Sequence, residues 1–270
     1  MTGPRIWVVD AFADRPFDGN PAAVVLLDQP ASPSWMQSIA AEMNLSETAF
    51  LHRADNDEWT LRWYTPTVEV RLCGHATLAA AHVLMSEGLA ADRVAFRTRS
   101  GQLTARRDGD LIALDMPSRP LLTDAPPDGL AAVFGSTSYR FAGRTGEADP
   151  IATDLLVALP DADAVRALRP DLTRLAALPF GGLIVTAQAD LPRIDFVSRY
   201  FAPRQGIAED PVTGAAHCVL APYWSAATGR TAFVAAQLSA RSGIVRVVHC
   251  GPVTQLSGRA VTVLAGRLTV

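Results

Sequence analysis

Tyr64-Thr-Pro66 followed by Cys73-Gly-His-Ala-Thr-Leu-Ala-Ala-Ala-His-Val-Leu84, and Phe201-Ala-Pro203 followed by Asp210-Pro-Val-Thr-Gly-Ala-Ala-His-Cys-Val-Leu220, are imperfect copies of one another. Each has an aromatic residue and a proline ending a strand, a turn, and a glycine leading small residues into an apolar helical run. Gly74 and Gly214 align, and only the turn differs in length. A glycine at a helix start lets a ligand approach the backbone, while the unpaired N–H groups of the first turn favour an anion. Two such starts predict a pseudo-symmetric protein that holds a carboxylate between its halves, with Gly74, Ala76, Gly214 and Ala215 against it.

Working outward, Arg5 to Phe12 alternates as a strand, Asp18-Gly-Asn-Pro21 reads as a turn, and Ala22 to Leu27 as a second strand. Ser34 with Gln37 suggests a capping box opening a helix that runs through Met43 and stops at Asn44. The chain then turns extended through Ser46-Glu-Thr-Ala-Phe-Leu51, which puts Glu47 at a helix-to-strand junction. Strands are expected at 59–64, 94–98, 103–107 and 111–116, with one long helix near 76–87, and Met116-Pro-Ser-Arg-Pro120 reads as a crossover linker. The second half repeats the order less cleanly: strands near Tyr139, Leu155, Leu183 and Ile194, a short helix at 162–168 or 172–177, the helix after Gly214, and strands at Ser239, Val245 and Ala260. The implied architecture is α+β, with strand-rich halves each wrapped on one helix. Domains of 1–118 and 119–270 follow, the last strand packing back on the first.

The 270 residues, about half of them hydrophobic and a fifth charged, suit two domains with ordinary cores. A net charge of −3 without a basic run argues against nucleic acid. The absence of a long apolar stretch argues against a membrane partner. The odd cysteine count, Cys73, Cys218 and Cys250, is no disulfide framework and fits a reducing, cytoplasmic setting. All 24 basic residues are arginine. Schiff-base, pyridoxal-phosphate and P-loop chemistries, which normally need a lysine amine, therefore fall away. No Gly-x-Gly-x-x-Gly, Gly-x-Ser-x-Gly, Cys-x-x-Cys or His-Glu-x-x-His occurs. Cys73 with His75, or His217 with Cys218, lacks the usual partner spacing of a zinc site, so no metal is expected.

The segments Gly19-Asn-Pro-Ala-Ala-Val25, Asn44-Leu-Ser-Glu-Thr-Ala-Phe50, Cys73-Gly-His-Ala-Thr77 and Glu209-Asp-Pro-Val-Thr-Gly214 resemble the PhzF-like isomerases, as do Gln237 to Gly243 and Leu256 to Val261. The resemblance runs end to end. It implies a diaminopimelate-epimerase-like fold: two similar domains, each a curved, mostly antiparallel sheet around a central helix, with the site in the cleft between them. It implies a homodimer without a cofactor, acting on a small-molecule carboxylate. The family's type reaction isomerises trans-2,3-dihydro-3-hydroxyanthranilate, one glutamate moving a proton between ring carbons. That glutamate falls on Glu47, the family histidine on His75 and its second-domain aspartate on Asp210.

Each residue also has a plainer reading. Glu47 in a closed cleft would be desolvated and able to shuttle a proton, whereas on a strand edge it is merely solvated. His75 at a helix start could bind substrate or only pack. Asp210 before Pro211 could be a turn former. Asn20 before Pro21 is structural first and cleft-lining second, and Ser46 would line the site beside Glu47. One departure stands out: the family often has serine where this chain has Ala215. The backbone N–H is kept but a hydroxyl contact is lost, worth about 0.5–1.5 kcal/mol, so phenazine biosynthesis is not assigned. Two other classes remain. A two-base racemase or epimerase needs a thiol from each half, but Cys73 aligns with Thr213. A non-catalytic binding protein has no need of Glu47, His75 and Asp210 together.

Overall fold

A computed structural model describes residues 3–54, 58–147 and 149–270. The chain divides into two compact units, one made of the residues up to Met116 together with Gln255–Val270, the other of Pro117–Thr254. The elements run β1 (Arg5–Ala11), β2 (Asn20–Leu27), α1 (Pro33–Met43), β3 (Glu47–Arg53), β4 (Trp59–Tyr64), β5 (Glu69–Val70), α2 (Gly74–Ser86), β6 (Arg93–Thr98), β7 (Gly101–Asp108) and β8 (Leu111–Pro117). They continue as β9 (Leu121–Leu122), α3 (Leu130–Phe134), β10 (Arg140–Thr145), β11 (Asp154–Ala158), α4 (Ala162–Ala167), α5 (Leu172–Ala177), β12 (Gly182–Gln188), β13 (Phe196–Ala202) and β14 (Ile207–Asp210). The last are α6 (Gly214–Thr228), β15 (Ala232–Gln237), β16 (Gly243–Cys250), β17 (Val253–Gly258) and β18 (Ala260–Arg267). No helix among the described residues is long and apolar enough to cross a membrane.

The two units share one pairing sequence. In the first, β2 runs parallel to β3, β3 antiparallel to β4, β4 antiparallel to the short β5 and parallel to β6, and β6 antiparallel to β7. In the second, β11 runs parallel to β12, β12 antiparallel to β13, β13 antiparallel to β14 and parallel to β15, and β15 antiparallel to β16. A parallel crossover needs an intervening element, and helices fill the corresponding places: α1 in one unit, α4 and α5 in the other, then α2 and α6 between the short strand and its successor. The second unit ends at Thr254 because β18 pairs antiparallel with β1 along its whole length, from Arg267 opposite Arg5 to Ala260 opposite Ala11.

Helix α2 is buried on every side, with Leu78, Ala79, Ala80, Ala81, Val83 and Leu84 fully covered. A helix without a polar face belongs at the centre of its unit, and α2 packs on β1, β2, β3, β7 and β18. Its alanines keep the surrounding strands close. Helix α6 repeats this over Gly214 to Ala221, but from Pro222 onward its residues are half-buried or exposed.

Several local expectations change. The N-cap of α1 is Ser32, whose side chain accepts from Trp35 N, so Ser34 and Gln37 form no capping box. Gln37 instead donates to the Thr65 carbonyl. Asn44 does end this helix, in the left-handed region at φ 49°. Both short helices of the second half form, α4 and α5. The strand expected at Ile194 begins at Phe196, because Arg193 adopts φ 64° in a turn. The strand expected at Ser239 is a turn: Ser239 Oγ accepts from Ser242 N and donates to the Pro211 carbonyl, local bonding that competes with a ladder. The strand itself is the alanine-rich β15, whose small residues give a weak strand signal.

Candidate active site

In the first unit Glu47 opens β3, while Cys73 is the N-cap and His75 the second residue of α2. Asn20 opens β2, directly after Gly19, which sits at φ 68° where a side chain would strike the Ala11 carbonyl. These starts meet. His75 Nε2 lies 3.2 Å from Glu47 Oε2, with side-chain exposures of 5% and 12%. The ring is sealed while the carboxyl stays reachable. Asn20 Nδ2 lies 3.2 Å from His75 Nδ1, and Cys73 Sγ lies 3.5 Å from the same nitrogen.

An amide nitrogen can only donate, so His75 Nδ1 accepts and the ring's single proton sits on Nε2, facing Glu47. Burial pushes the His75 pKa down to about 3, so the ring is neutral at ordinary pH. The pair therefore carries at most the one negative charge of the carboxylate. The Nε2 contact is poorly aligned for a hydrogen bond among the described residues. Such contacts often tighten only when substrate is bound. Ser46, half-buried, precedes the glutamate, and Gly74 and Ala76 are buried on either side of His75.

In the second unit Asp210 ends β14 and Thr213 is the N-cap of α6. Thr213 Oγ1 donates to Asp210 Oδ2 at 2.5 Å. Gln237, fully buried at the end of β15, binds this segment three times. Its Oε1 accepts from Thr213 N at 2.8 Å, and its Nε2 donates to the Asp210 carbonyl at 2.8 Å and to Thr213 Oγ1 at 3.1 Å. Because the Thr213 oxygen accepts from Gln237, its own proton is directed at the Asp210 carboxylate. The Asp210 carboxyl is thus held in a fixed orientation by the Thr213 hydroxyl. Gly214 is buried and Ala215 half-buried at the head of α6. His217 Nδ1 lies 2.8 Å from the Thr213 carbonyl, and its ring stacks near Phe196.

The matching positions of the two units thus differ in chemistry. Cys73 and Thr213 are both N-caps, but the first offers a thiol beside an imidazole and the second a hydroxyl bonded to a carboxylate. Gln237 was not singled out by sequence reasoning, although it lies in a segment carrying the family resemblance. Its contact with Thr213 spans 24 residues and has no local spacing signature.

Residues 9–266 match the phenazine biosynthesis-like (PhzC-PhzF) family. The chain belongs to that family. An uncharacterized isomerase of Pseudomonas aeruginosa is 46% identical, with 97% of this chain and 98% of that protein covered. The crystal structure of a PhzC/PhzF phenazine biosynthesis protein from Clostridium difficile superposes with a TM-score of 0.87 at 37% identity, over 99% of this chain and 100% of the other. A hydroxyproline epimerase from Agrobacterium vitis shares the fold at TM-score 0.65 and 11% identity, covering 98% and 92% of the two chains. The PhzC-PhzF protein described here therefore has the epimerase-like fold that the family resemblance implies, and Glu47 and His75, the residues to which that resemblance points, are adjacent in space.

Proposed function

We propose that this PhzC-PhzF protein is an isomerase that moves a proton on a small carboxylate-bearing substrate, with Glu47 as the group that removes and returns it. The observation that supports this best is the Glu47–His75–Asn20 arrangement, in which a neutral imidazole presents Nε2–H to a nearly enclosed carboxylate. Glu47 takes a proton from a carbon next to a double bond. The C–H electron pair becomes a new C=C bond, and the former double bond's electrons take the proton back from the Glu47 carboxylic acid at its far carbon, two carbons from where it left. No atom or electron is gained or lost, so the step balances with Glu47 as the sole proton carrier. His75 Nε2–H steadies the carboxylate before and after transfer, and Asn20 keeps the proton on that nitrogen.

In this reading Asp210, oriented by Thr213 and Gln237, contributes to the same reaction, and the N–H groups at Gly74 and Gly214 bind the substrate carboxylate. The lost hydroxyl at Ala215 favours a substrate other than that of the type reaction. A cytoplasmic homodimer is part of the proposal. A second reading, a thiol-dependent epimerase, draws on the contact of Cys73 Sγ with His75 Nδ1. It is disfavoured because Thr213 fills the matching position.

The test is a screen of unsaturated cyclic and amino carboxylates in deuterated water, reading carbon-bound deuterium by mass spectrometry. Incorporation that requires Glu47 supports the proposal. Incorporation that requires Cys73 and persists in Glu47→Gln overturns it.

A further inference from the structure

Cys73, His75 and Glu47 place one sulfur, one nitrogen and one oxygen donor within 4.8 Å of one another. Cys73 and His75 are too close in sequence to suggest a metal site by themselves, and the donor that completes the set comes from a different element, the first residue of β3. Zinc bond lengths of about 2.3 Å to sulfur and about 2.0–2.2 Å to nitrogen and oxygen put neighbouring ligands of a tetrahedron roughly 3.3–3.6 Å apart. His75 Nε2 and Glu47 Oε2 already stand 3.2 Å apart. Cys73 Sγ lies 3.5 Å from Nδ1 of the same ring, and one donor atom from each of the three residues stands within 4.8 Å of the others, so the sulfur and the ring must shift to share one ion. Cys73 and His75 are buried and Glu47 nearly so, so a cation held by them would be largely shielded from bulk water.

We infer that these three residues form a binding site for a borderline divalent cation of the zinc type, and that the ion inhibits the enzyme by occupying Glu47. The inhibition half rests on the proton-shuttle reading above, while the binding half does not. On binding, the Cys73 thiol gives its proton to solvent and the sulfur becomes a thiolate ligand. The His75 proton moves from Nε2, which takes the ion, to Nδ1. The Asn20 amide then turns so that its oxygen accepts from Nδ1–H, the usual support for a metal-bound imidazole. A bound cation draws charge from the Glu47 carboxylate, which makes it a weaker base, and stands between it and a substrate C–H. The donor set matches zinc and cobalt far better than magnesium or calcium, which prefer all-oxygen sites.

Zinc chloride titrated into the intact protein in a calorimeter, with cobalt chloride as the spectroscopic probe, tests this. The expected result is one-to-one zinc binding, weakened at least tenfold by Cys73→Ser and by Glu47→Gln and unchanged by Cys250→Ala, the exposed cysteine. Cobalt should give a sulfur-to-metal charge-transfer band in the wild-type protein and in Cys250→Ala, a readout that stands even where a Cys73 variant fails to fold. Magnesium should not compete. No zinc binding, or binding and a cobalt–sulfur band that vanish with Cys250→Ala, overturns the site. Intact binding alongside full turnover of the zinc-loaded enzyme overturns inhibition. Absence of the site leaves the proton shuttle standing, and an active Glu47→Gln enzyme that still follows the binding pattern leaves the site standing.

Discussion

The side chains of Asn20 and Glu47 address opposite nitrogens of one imidazole, His75, through contacts of 3.2 Å each. Asn20 opens β2 and Glu47 opens β3, and these strands run parallel with Ala22 opposite Glu47. Both side chains therefore reach the head of α2 from the same end of the sheet. The arrangement sets which nitrogen holds the proton, and so what faces the carboxylate.

If Cys73 is a neighbour of this relay and not its base, Cys73→Ala should lower turnover by less than about tenfold, against the 10²–10⁴-fold that a positioned acid–base group contributes. Steady-state rates on any substrate found in the screen measure it. A loss as large as that of Glu47→Gln would shift the chemistry to the thiol.

Gln237→Leu should cost about 1–3 kcal/mol of stability by stranding the buried Thr213 N–H and the Asp210 carbonyl. It should also speed hydrogen exchange at the Thr213 amide more than at amides in the middle of α6. Uniform protection changes along the helix would mean that Gln237 supports only global packing.

Arg119 lies in the segment that leaves the first unit, and its guanidinium is a hub inside the second. It donates to Asp154 at 2.6 Å, Glu147 at 2.8 Å and the Ala152 carbonyl at 2.7 Å, while Tyr200 donates to the other Asp154 oxygen at 2.8 Å. Burial lifts the Asp154 carboxyl above its ordinary range even with these partners. Removing the cation leaves a buried carboxylate uncompensated, so Arg119→Met should destabilise by about 3–5 kcal/mol in urea unfolding, and Asp154→Leu added to it should recover part of the loss. An Arg119→Met protein of wild-type stability would contradict the hub.

His217 carries a pH prediction. Burial pushes its pKa down to about 4, from 6.5 in an exposed chain. The unfolded chain therefore binds a proton below pH 6.5 that the folded protein excludes. Its contribution to stability is complete above that pH and is lost as pH falls toward 4, at up to about 1.4 kcal/mol per unit. His217→Leu should flatten this limb of the stability–pH curve. Parallel curves for the two proteins would show that the ring does not titrate on unfolding.

What the sequence revealed and what it hid follow from one distinction. Cys73 to Leu84 and Asp210 to Leu220 each lead into a helix start with no charged face, and a helix apolar on every side belongs at the centre of its unit. The proposed role of Glu47 came from the family resemblance, while its place at a helix-to-strand junction was legible because Asn44 ends α1 and apolar residues resume at once. Gln237 and Arg119 were not, since a buried polar residue that pairs with backbone far along the chain leaves no periodic trace. Ser32 caps α1 in place of Ser34 because Pro33 is suited to the first helical position, and Gln37 bonds the Thr65 carbonyl.

The central claim is that the Glu47 carboxyl carries the proton. Glu47→Gln keeps the side chain's size and its contact with His75 but cannot act as a base. The most direct measurement is deuterium incorporation into a substrate from deuterated water, made alongside ligand binding by calorimetry. The account predicts that Glu47→Gln binds within a few-fold of wild type and incorporates deuterium at least 10²-fold more slowly. Undiminished incorporation by Glu47→Gln would contradict it.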